Sequence, residues 1–502
     1  MIKSGYDPKG PIFISYRQSD GRPFAEALDI YLRAGGLVPW RDLVDLSPGE
    51  TAQRVTEAFE EGISNAVLIV TPQLKDSHFV PDIELPKLME YDADTAMAKP
   101  FHVLVLNTIA SDEFSAEIDV EAPDRILEDS GRWPPRCDRC ARHKGWKLRN
   151  LKQYAYLPGW KEARQLYADL LDARLMARVG HLADKEVSIQ TQTRPEGNAR
   201  SRLSGTNRSG FIRKDPDDPY DLIVRLRQDP DTGVPSEQSL RALQETLPLL
   251  VDGLYGHGVE RVLLDGSGHA VLLWAIGAAL PITRIRRGSL VVEDIHQKRW
   301  SDSLPVSRTD DRDESAPCDC SSDTGRRLGV AERVDREYFV ANFTPALPKL
   351  FAMDVPQNRV TRAAVLLEFS KNANHKAFNQ LTERLKLDLP PIKVRIEWPD
   401  SPGATEIPAG EGPRLVRDIM KGLREIVHHT GVDEIHVASN LPSALAALLG
   451  RNSNTLNLVL HELGRKEVGG HREYFPVVRL EAGMPGGPIM EVFPQSHTRR
   501  AR

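Results

Sequence analysis

The chain opens on short apolar runs separated by amphipathic stretches. PIFISY (11–16) reads as a buried strand, and PFAEALDIYLRAGG (23–36) spaces its apolar residues at helical intervals until Gly35 and Gly36 stop it. LVPW (37–40) predicts a second strand and ETAQRVTEAFEEGI (50–63) a second amphipathic helix. NAVLIVT (65–71) and FHVLVLN (101–107) predict two further strands. Strand–helix alternation of this kind implies a parallel sheet covered on both faces, with ligands gathered at the carboxyl ends of the strands. Ser15, Tyr16, Arg17, Asp42 and the segment from Thr71 to Glu84 fall at those ends. Helical periodicity over 157–183 closes this first unit.

A polar stretch rich in Gly and Pro follows and reads as a linker, after which the pattern repeats itself. VERVLLDGSGHAVLLWAIGAAL (259–280) and VDEIHVASNLPSALAALLGRNS (432–453) align without a gap at an offset of 173, Gly277 falling on Gly450. Upstream, 241–258 parallels 414–431; downstream, REYFVANF (336–343) parallels REYFPVVRL (472–480). Two copies of a strand–turn–helix unit predict two Rossmann-like lobes about a pseudo-twofold axis. The turns Asp265-Gly266-Ser267-Gly268-His269 and Ser439-Asn440-Leu441 lead into helices, whose first N–H groups can receive phosphates. FSKNANHKAF (369–378) reads as a third such turn. Candidate ligand residues are therefore Gly266, Ser267, His269, Arg284, Arg286, Lys371, Asn372, Asn374, His375, Ser439 and Asn440.

Composition narrows the function classes. A length of 502 residues predicts two or three domains, and 40% hydrophobic with 27% charged residues is ordinary for a soluble protein. A formal charge of −5 gives no electrostatic case for bulk nucleic-acid binding. No apolar run reaches the roughly 20 residues that span a bilayer, and MIKSGYDPKG lacks an apolar signal core, so a cytoplasmic protein is expected. The four cysteines form two tight pairs, Cys137/Cys140 and Cys318/Cys320. In a reducing compartment such pairs point to a metal or redox role rather than to structural disulfides. The second pair lies in 301–335, an apparent insertion in the first repeat. A structural zinc clip is expected, with His143 or His296 as possible substitutes; the alternative is four free thiols.

Two family resemblances sharpen this picture. FISYRQSDG (13–21), WRDLVDLSPGE (40–50) and SNAVLIVTPQLKDSHFVPDIEL (64–85) resemble, in order and spacing, three boxes of TIR domains over about 175 residues. The resemblance implies a flavodoxin-like domain with a parallel sheet. It places Glu84 at the catalytic position of NAD-cleaving members, with Ser15, Tyr16, Arg17, Asp42 and Phe79 about the substrate. The family often carries Trp four residues before the glutamate; here Val80 stands there, beside Phe79. One carboxylate suits this chemistry, because nicotinamide leaves as a neutral base and the ribose develops oxocarbenium character that negative charge stabilises.

NLPSALAALLGR (440–451) resembles a signature of SAVED domains, sensors of cyclic oligonucleotides built from two fused CARF-like lobes. The first copy departs from it, with His269 where the second has Pro442. SAVED domains occur fused to effectors, TIR among them, in bacterial anti-phage systems (CBASS). The expected order is thus a TIR domain (1–183), a linker (184–214) and a SAVED domain (215–502), whose lobes span about 215–345 and about 346–502. The expected function is an NAD+ hydrolase switched on by a cyclic oligonucleotide, foremost cyclic tri-adenylate, with ligand-driven assembly into oligomers or filaments. NAD+ is substrate, no catalytic cofactor is required, and a cognate cyclic-nucleotide synthase is the functional partner. No membrane is involved. The rival readings are a non-enzymatic TIR adaptor, and the same enzyme answering a cyclic dinucleotide or linear RNA.

Overall fold

The computed structural model describes residues 6–41, 48–92, 101–112, 117–131, 147–156, 161–179, 185–195, 220–266, 268–280, 290–293, 299–301, 340–343, 362–369, 374–387, 389–397, 409–465 and 472–495. The apolar runs of the opening segment become β1 (Ile12–Ser15), β2 (Pro39–Trp40), β3 (Asn65–Val70) and β4 (Val103–Asn107), joined by the three-residue β5 (Gln153–Ala155). They form one parallel sheet of order β2-β1-β3-β4-β5. Strand alternation sorts the side chains to two faces. Ile12 and Ile14 face α1 (Gln18–Ala34) and α5 (Lys161–Val179), whereas Phe13, Ala66 and Leu68 join the cluster that includes α2 (Pro48–Glu61) and α3 (Leu85–Asp92). α4 (Ala122–Asp129) adds Leu127 to that second cluster. α1 starts at Gln18 rather than 23 and takes Pro23 inside its second turn.

The second sheet has the order β10-β9-β8-β6-β7. Its elements are β6 (Glu186–Pro195), β7 (Leu222–Gln228), α6 (Glu237–Gly256), β8 (Arg261–Gly266), α7 (Ala270–Ala279), β9 (Leu290–Glu293) and β10 (Arg299–Ser301). The third sheet comprises β11 (Val340–Phe343), β12 (Arg362–Glu368), β13 (Ile392–Glu397), β14 (Glu434–Ser439), β15 (Asn457–Leu463), β16 (Tyr474–Glu481) and β17 (Ile489–Val492). Its helices are α8 (His375–Leu385), α9 (Gly412–Thr430) and α10 (Ser443–Arg451), and its strand order is β11-β13-β12-β14-β15-β16-β17. The run β7-β6-β8-β9-β10 matches β13-β12-β14-β15-β16 strand for strand, four parallel strands and then an antiparallel one. The sequence repeat is therefore a repeat of topology.

Two expectations change. The stretch read as a linker begins with β6, which lies between β7 and β8 and pairs with both. Val187, Ile189 and Thr191 are buried there, but Ser188, Gln190 and Gln192 alternate with them and disguise a central strand as polar loop. Nor is Val340–Phe343 the counterpart of Tyr474–Glu481. It pairs antiparallel with β13 at the far edge of the third sheet, and β10 is the first lobe's counterpart of β16. The strands on either side of 302–339 thus belong to different sheets.

α7 and α10 are buried along nearly their whole length, as helices apolar on all sides must be, and they pack on each other. A methyl group added at Gly277 would stand 2.0 Å from the Ala447 carbonyl oxygen, and one at Gly450 2.0 Å from that of Trp274. Glycine is required at both positions because backbone meets backbone. One continuous apolar core runs from β1 and α1 through α5 and α6 into both lobes. Among the described residues no helix is long and apolar enough to cross a membrane.

Candidate functional site

The order β2-β1-β3 reverses the direction of chain progression at β1, and ligands of such sheets bind in the crevice outside the carboxyl ends at that point. Ser15 ends β1 there and is 1% exposed. Its Oγ donates to Glu84 Oε2 at 2.5 Å. Glu84 closes a single π-turn, Val80–Glu84, in which the Leu85 N–H reaches back to the Val80 carbonyl. Such widened turns are frequent at functional sites, and Pro81, which has no N–H to give, sits within this one. The wide turn leaves Val80, Pro81 and Glu84 buried together, with Glu84 7% exposed. At the end of β3 the Thr71 hydroxyl is buried with no hydrogen-bond partner among the described residues.

The other residues expected about this crevice behave differently. Tyr16 and Phe79 are half-buried, beside Ser15 and the π-turn. Arg17 is held by the Gln73 carbonyl, by Ser19 Oγ at 2.6 Å and by Asp76 at 3.3 Å, so its guanidinium fixes the segment after β3. Asp42 lies outside the described residues.

In the two-lobed half, the carboxyl end of β7 and the turn after it meet the segment that follows β15. Gly266 ends β8, and the His269 N–H donates to Thr193 Oγ1 at 3.0 Å just before α7. Burial, reinforced by the charge of Arg465, pushes the His269 imidazole down to about 4, so it is neutral at physiological pH. Ser439 ends β14 half-buried. Asn440 Oδ1 accepts the Phe369 N–H at 2.7 Å and so pins the end of β12 to the turn after β14. Asn374 caps α8 through the Ala377 N–H, and His375 Nε2 lies 3.2 Å from the buried Glu368. Ser267, Arg284, Arg286, Lys371 and Asn372 lie outside the described residues. So do Cys137, Cys140, Cys318, Cys320, His143 and His296, and with them the zinc clip.

Two residues just past or at the end of β15 escape sequence reasoning. The buried Glu462 reaches across to the other lobe, where Oε1 accepts the Val271 N–H at 2.8 Å in the first turn of α7. Burial pushes its carboxyl up to about 7, against the pull of that hydrogen bond. Arg465 donates its backbone N–H to the Thr232 carbonyl at 2.8 Å, lays its stem over Gly233 and brings Nη1 within 3.5 Å of Gln228 Oε1. No carboxylate pairs with it among the described residues. The signal for both, HELGR (461–465), lies in the hairpin beyond the gapless part of the repeat. At the amino-terminal ends of β3 and β4, opposite Glu84, a cavity of about 530 Å³ is lined by Asn65, His102, Asp169 and Met176 among others.

No family model and no curated protein matches this chain. Among solved structures it is similar to the Acinetobacter baumannii Cap4 SAVED/CARF-domain containing receptor with the cyclic trinucleotide 2'3'3'-cAAA. That match has 12% identity and a TM-score of 0.36, covering 87% of this chain and 86% of that one. The same receptor with 3'3'3'-cAAA matches at 10% identity and a TM-score of 0.37, over 93% of this chain and 99% of that one. The Moraxella osloensis Cap4 SAVED/CARF-domain containing receptor matches at 12% identity and a TM-score of 0.33, over 91% of this chain and 97% of that one.

Proposed function

We propose that this chain is an NAD+ hydrolase gated by a cyclic oligonucleotide, a TIR effector fused to a SAVED sensor in antiviral defence. The observation that carries the catalytic part is the Ser15–Glu84 contact at the reversal point of a parallel sheet. An adaptor has no need of a buried carboxylate steadied by a hydroxyl in that crevice. The unpartnered Thr71 hydroxyl nearby supports a site built to meet a polar ligand, because buried polar groups are seldom left unsatisfied.

In the proposed reaction the bond between ribose C1′ and the nicotinamide nitrogen breaks heterolytically. Its electron pair neutralises the pyridinium, so no acid is needed for departure. Glu84 stabilises the positive charge left on the ribose, and Ser15 fixes the carboxylate's orientation. Water then adds to C1′ and releases a proton, giving ADP-ribose. In the sensor half, the strand-to-helix turn before α10 and Arg465 supply N–H groups and a cation for the phosphates of a ring-shaped ligand, cyclic tri-adenylate foremost. Ligand-bound copies assemble head to tail into oligomers or filaments.

Incubation with NAD+ and a panel of cyclic oligonucleotides, followed by nicotinamide release from wild type and Glu84→Gln, tests the reading. Release is expected with one ligand class and only from wild type. No release with any ligand leaves the adaptor; release that survives the substitution removes Glu84 from the mechanism. Sizing with and without ligand tests assembly, and activation at unchanged mass rules it out.

A further inference from the structure

Among the contacts between the two halves is a buried carboxylate that gathers arginines from both. Asp29, on α1, is 3% exposed. Its Oδ2 accepts from Arg227 Nη2 of β7 at 2.8 Å, and its Oδ1 accepts from Arg33 Nε at 3.0 Å. Arg41 Nε, just past β2, lies 3.8 Å from the same Oδ1. Burial would raise the Asp29 carboxyl's pKa, yet Arg33, Arg41 and Arg227 together hold it below its ordinary value. Glu26 is the other acid at this cluster, 3.8 Å from Arg41 Nη1. A charge this deeply buried persists only while its partners stay in place, so displacing one guanidinium disturbs the others.

The partners lead in two directions. Arg227 adjoins Gln228, whose Oε1 lies 3.5 Å from Nη1 of Arg465 in the other lobe. The backbone supports the same joint, since the Ile223 N–H of β7 donates to the Gly36 carbonyl in the turn before β2. On the other side, Arg33 Nη2 donates to the Pro39 carbonyl at 3.1 Å, so Arg33 and Arg41 bracket β2. Trp40 between them stacks on Phe13, with ring centroids 5.0 Å apart and planes 14° apart. Phe13 stands two residues before Ser15, the hydrogen-bond donor to Glu84.

We propose that Asp29 is the positioning residue that transmits ligand occupancy of the two-lobed half to Glu84, by coupling Arg227 of β7 to Arg33 and Arg41 around β2. This rests on the ligand-gated reading above and adds the route of the gate. The route combines ion pairs, hydrogen bonds, one ring stack and neighbours along β7 and β1, and coupling between distant sites is demonstrated by mutant cycles rather than by adjacency.

The test uses the full chain with cyclic tri-adenylate as probe, and Arg227→Gln, Asp29→Asn and the double variant. Three readouts are taken: ligand affinity by calorimetry, nicotinamide release with and without ligand, and amide exchange over 37–41. Each single variant is expected to bind the ligand within about twofold of wild type while its activation ratio falls at least about tenfold. Exchange over 37–41 no longer responds to ligand, and the double variant loses no more than either single one. Wild-type activation in the single variants, or losses that multiply in the double variant, overturns the relay. Should Arg227→Gln not fold, Arg227→Lys replaces it; its single ammonium keeps the charge but not the fork, and intermediate activation is expected. A wild type that binds the ligand without cleaving NAD+ ends the enzyme reading, and exchange over 37–41 then decides the relay alone. A wild type that binds no cyclic tri-adenylate removes that ligand from the reading and overturns the relay proposed for it.

Discussion

Gly277 and Gly450 occupy equivalent positions of the two lobes, and each presses its α-carbon against a carbonyl of the other's helix, Ala447 and Trp274 respectively. The aligned pairs Gly277/Gly450 and Trp274/Ala447 exchange partners across the crossing, as residues do about a twofold axis.

Gly277→Ala and Gly450→Ala are each expected to destabilise the protein, because the obstructing atom is backbone and cannot rotate away. Overpacking of this kind costs about 3 kcal/mol. Thermal unfolding followed by circular dichroism checks it. The two losses are expected to add incompletely, since both open the same helix pair; a wild-type melting temperature in either variant refutes the close approach.

Ser15→Ala leaves Glu84 in place without this donor. A hydrogen bond to a charged acceptor is worth roughly 1.5–3 kcal/mol, so nicotinamide release is expected to fall about tenfold or more. Ser15→Thr, which restores a hydroxyl, recovers part of it. Equal rates in wild type and Ser15→Ala would show that the contact plays no part in turnover.

Glu462 makes stability depend on pH. Its folded carboxyl titrates near 7 against an ordinary 4.5, so the native state binds its proton more tightly than the unfolded chain does. The stabilisation is complete below pH 4.5 and is lost as pH rises through 7, about 3 kcal/mol in all. Glu462→Gln keeps an acceptor for the Val271 N–H and removes the titration. Denaturant melts at pH 5 and pH 8 are therefore expected to differ less for the variant than for wild type.

Arg465→Ala removes a cation that no described acid neutralises. Cyclic tri-adenylate is expected to bind about tenfold more weakly, with unchanged melting temperature in the absence of ligand. Calorimetric titration measures this, and an unaltered affinity places Arg465 outside the contact.

The first sheet and the repeat were legible because their signals are local. Apolar runs bounded by Gly and Pro mark β1, β3 and β4. The gapless alignment around Gly277 and Gly450 reports two lobes before any contact is known. Glu84 was singled out only by the resemblance of residues 64–85 to a TIR box, and nothing in the local sequence names Ser15 as its partner. β6 was illegible because its Ser and Gln residues look like loop until strands on both sides bury them.

By itself, then, the sequence determined the main strands and helices of the first sheet and that the second half is duplicated, since periodicity and repetition are properties of neighbouring residues. Only the tertiary structure decided that β6 is a central strand, that Val340–Phe343 pairs with β13, that Glu462 caps a helix of the other lobe, and that Asp29 gathers arginines from both halves. Those are pairings between residues far apart in the chain. They are set by how sheets and helices bury their apolar faces, and no short window of sequence records the partner.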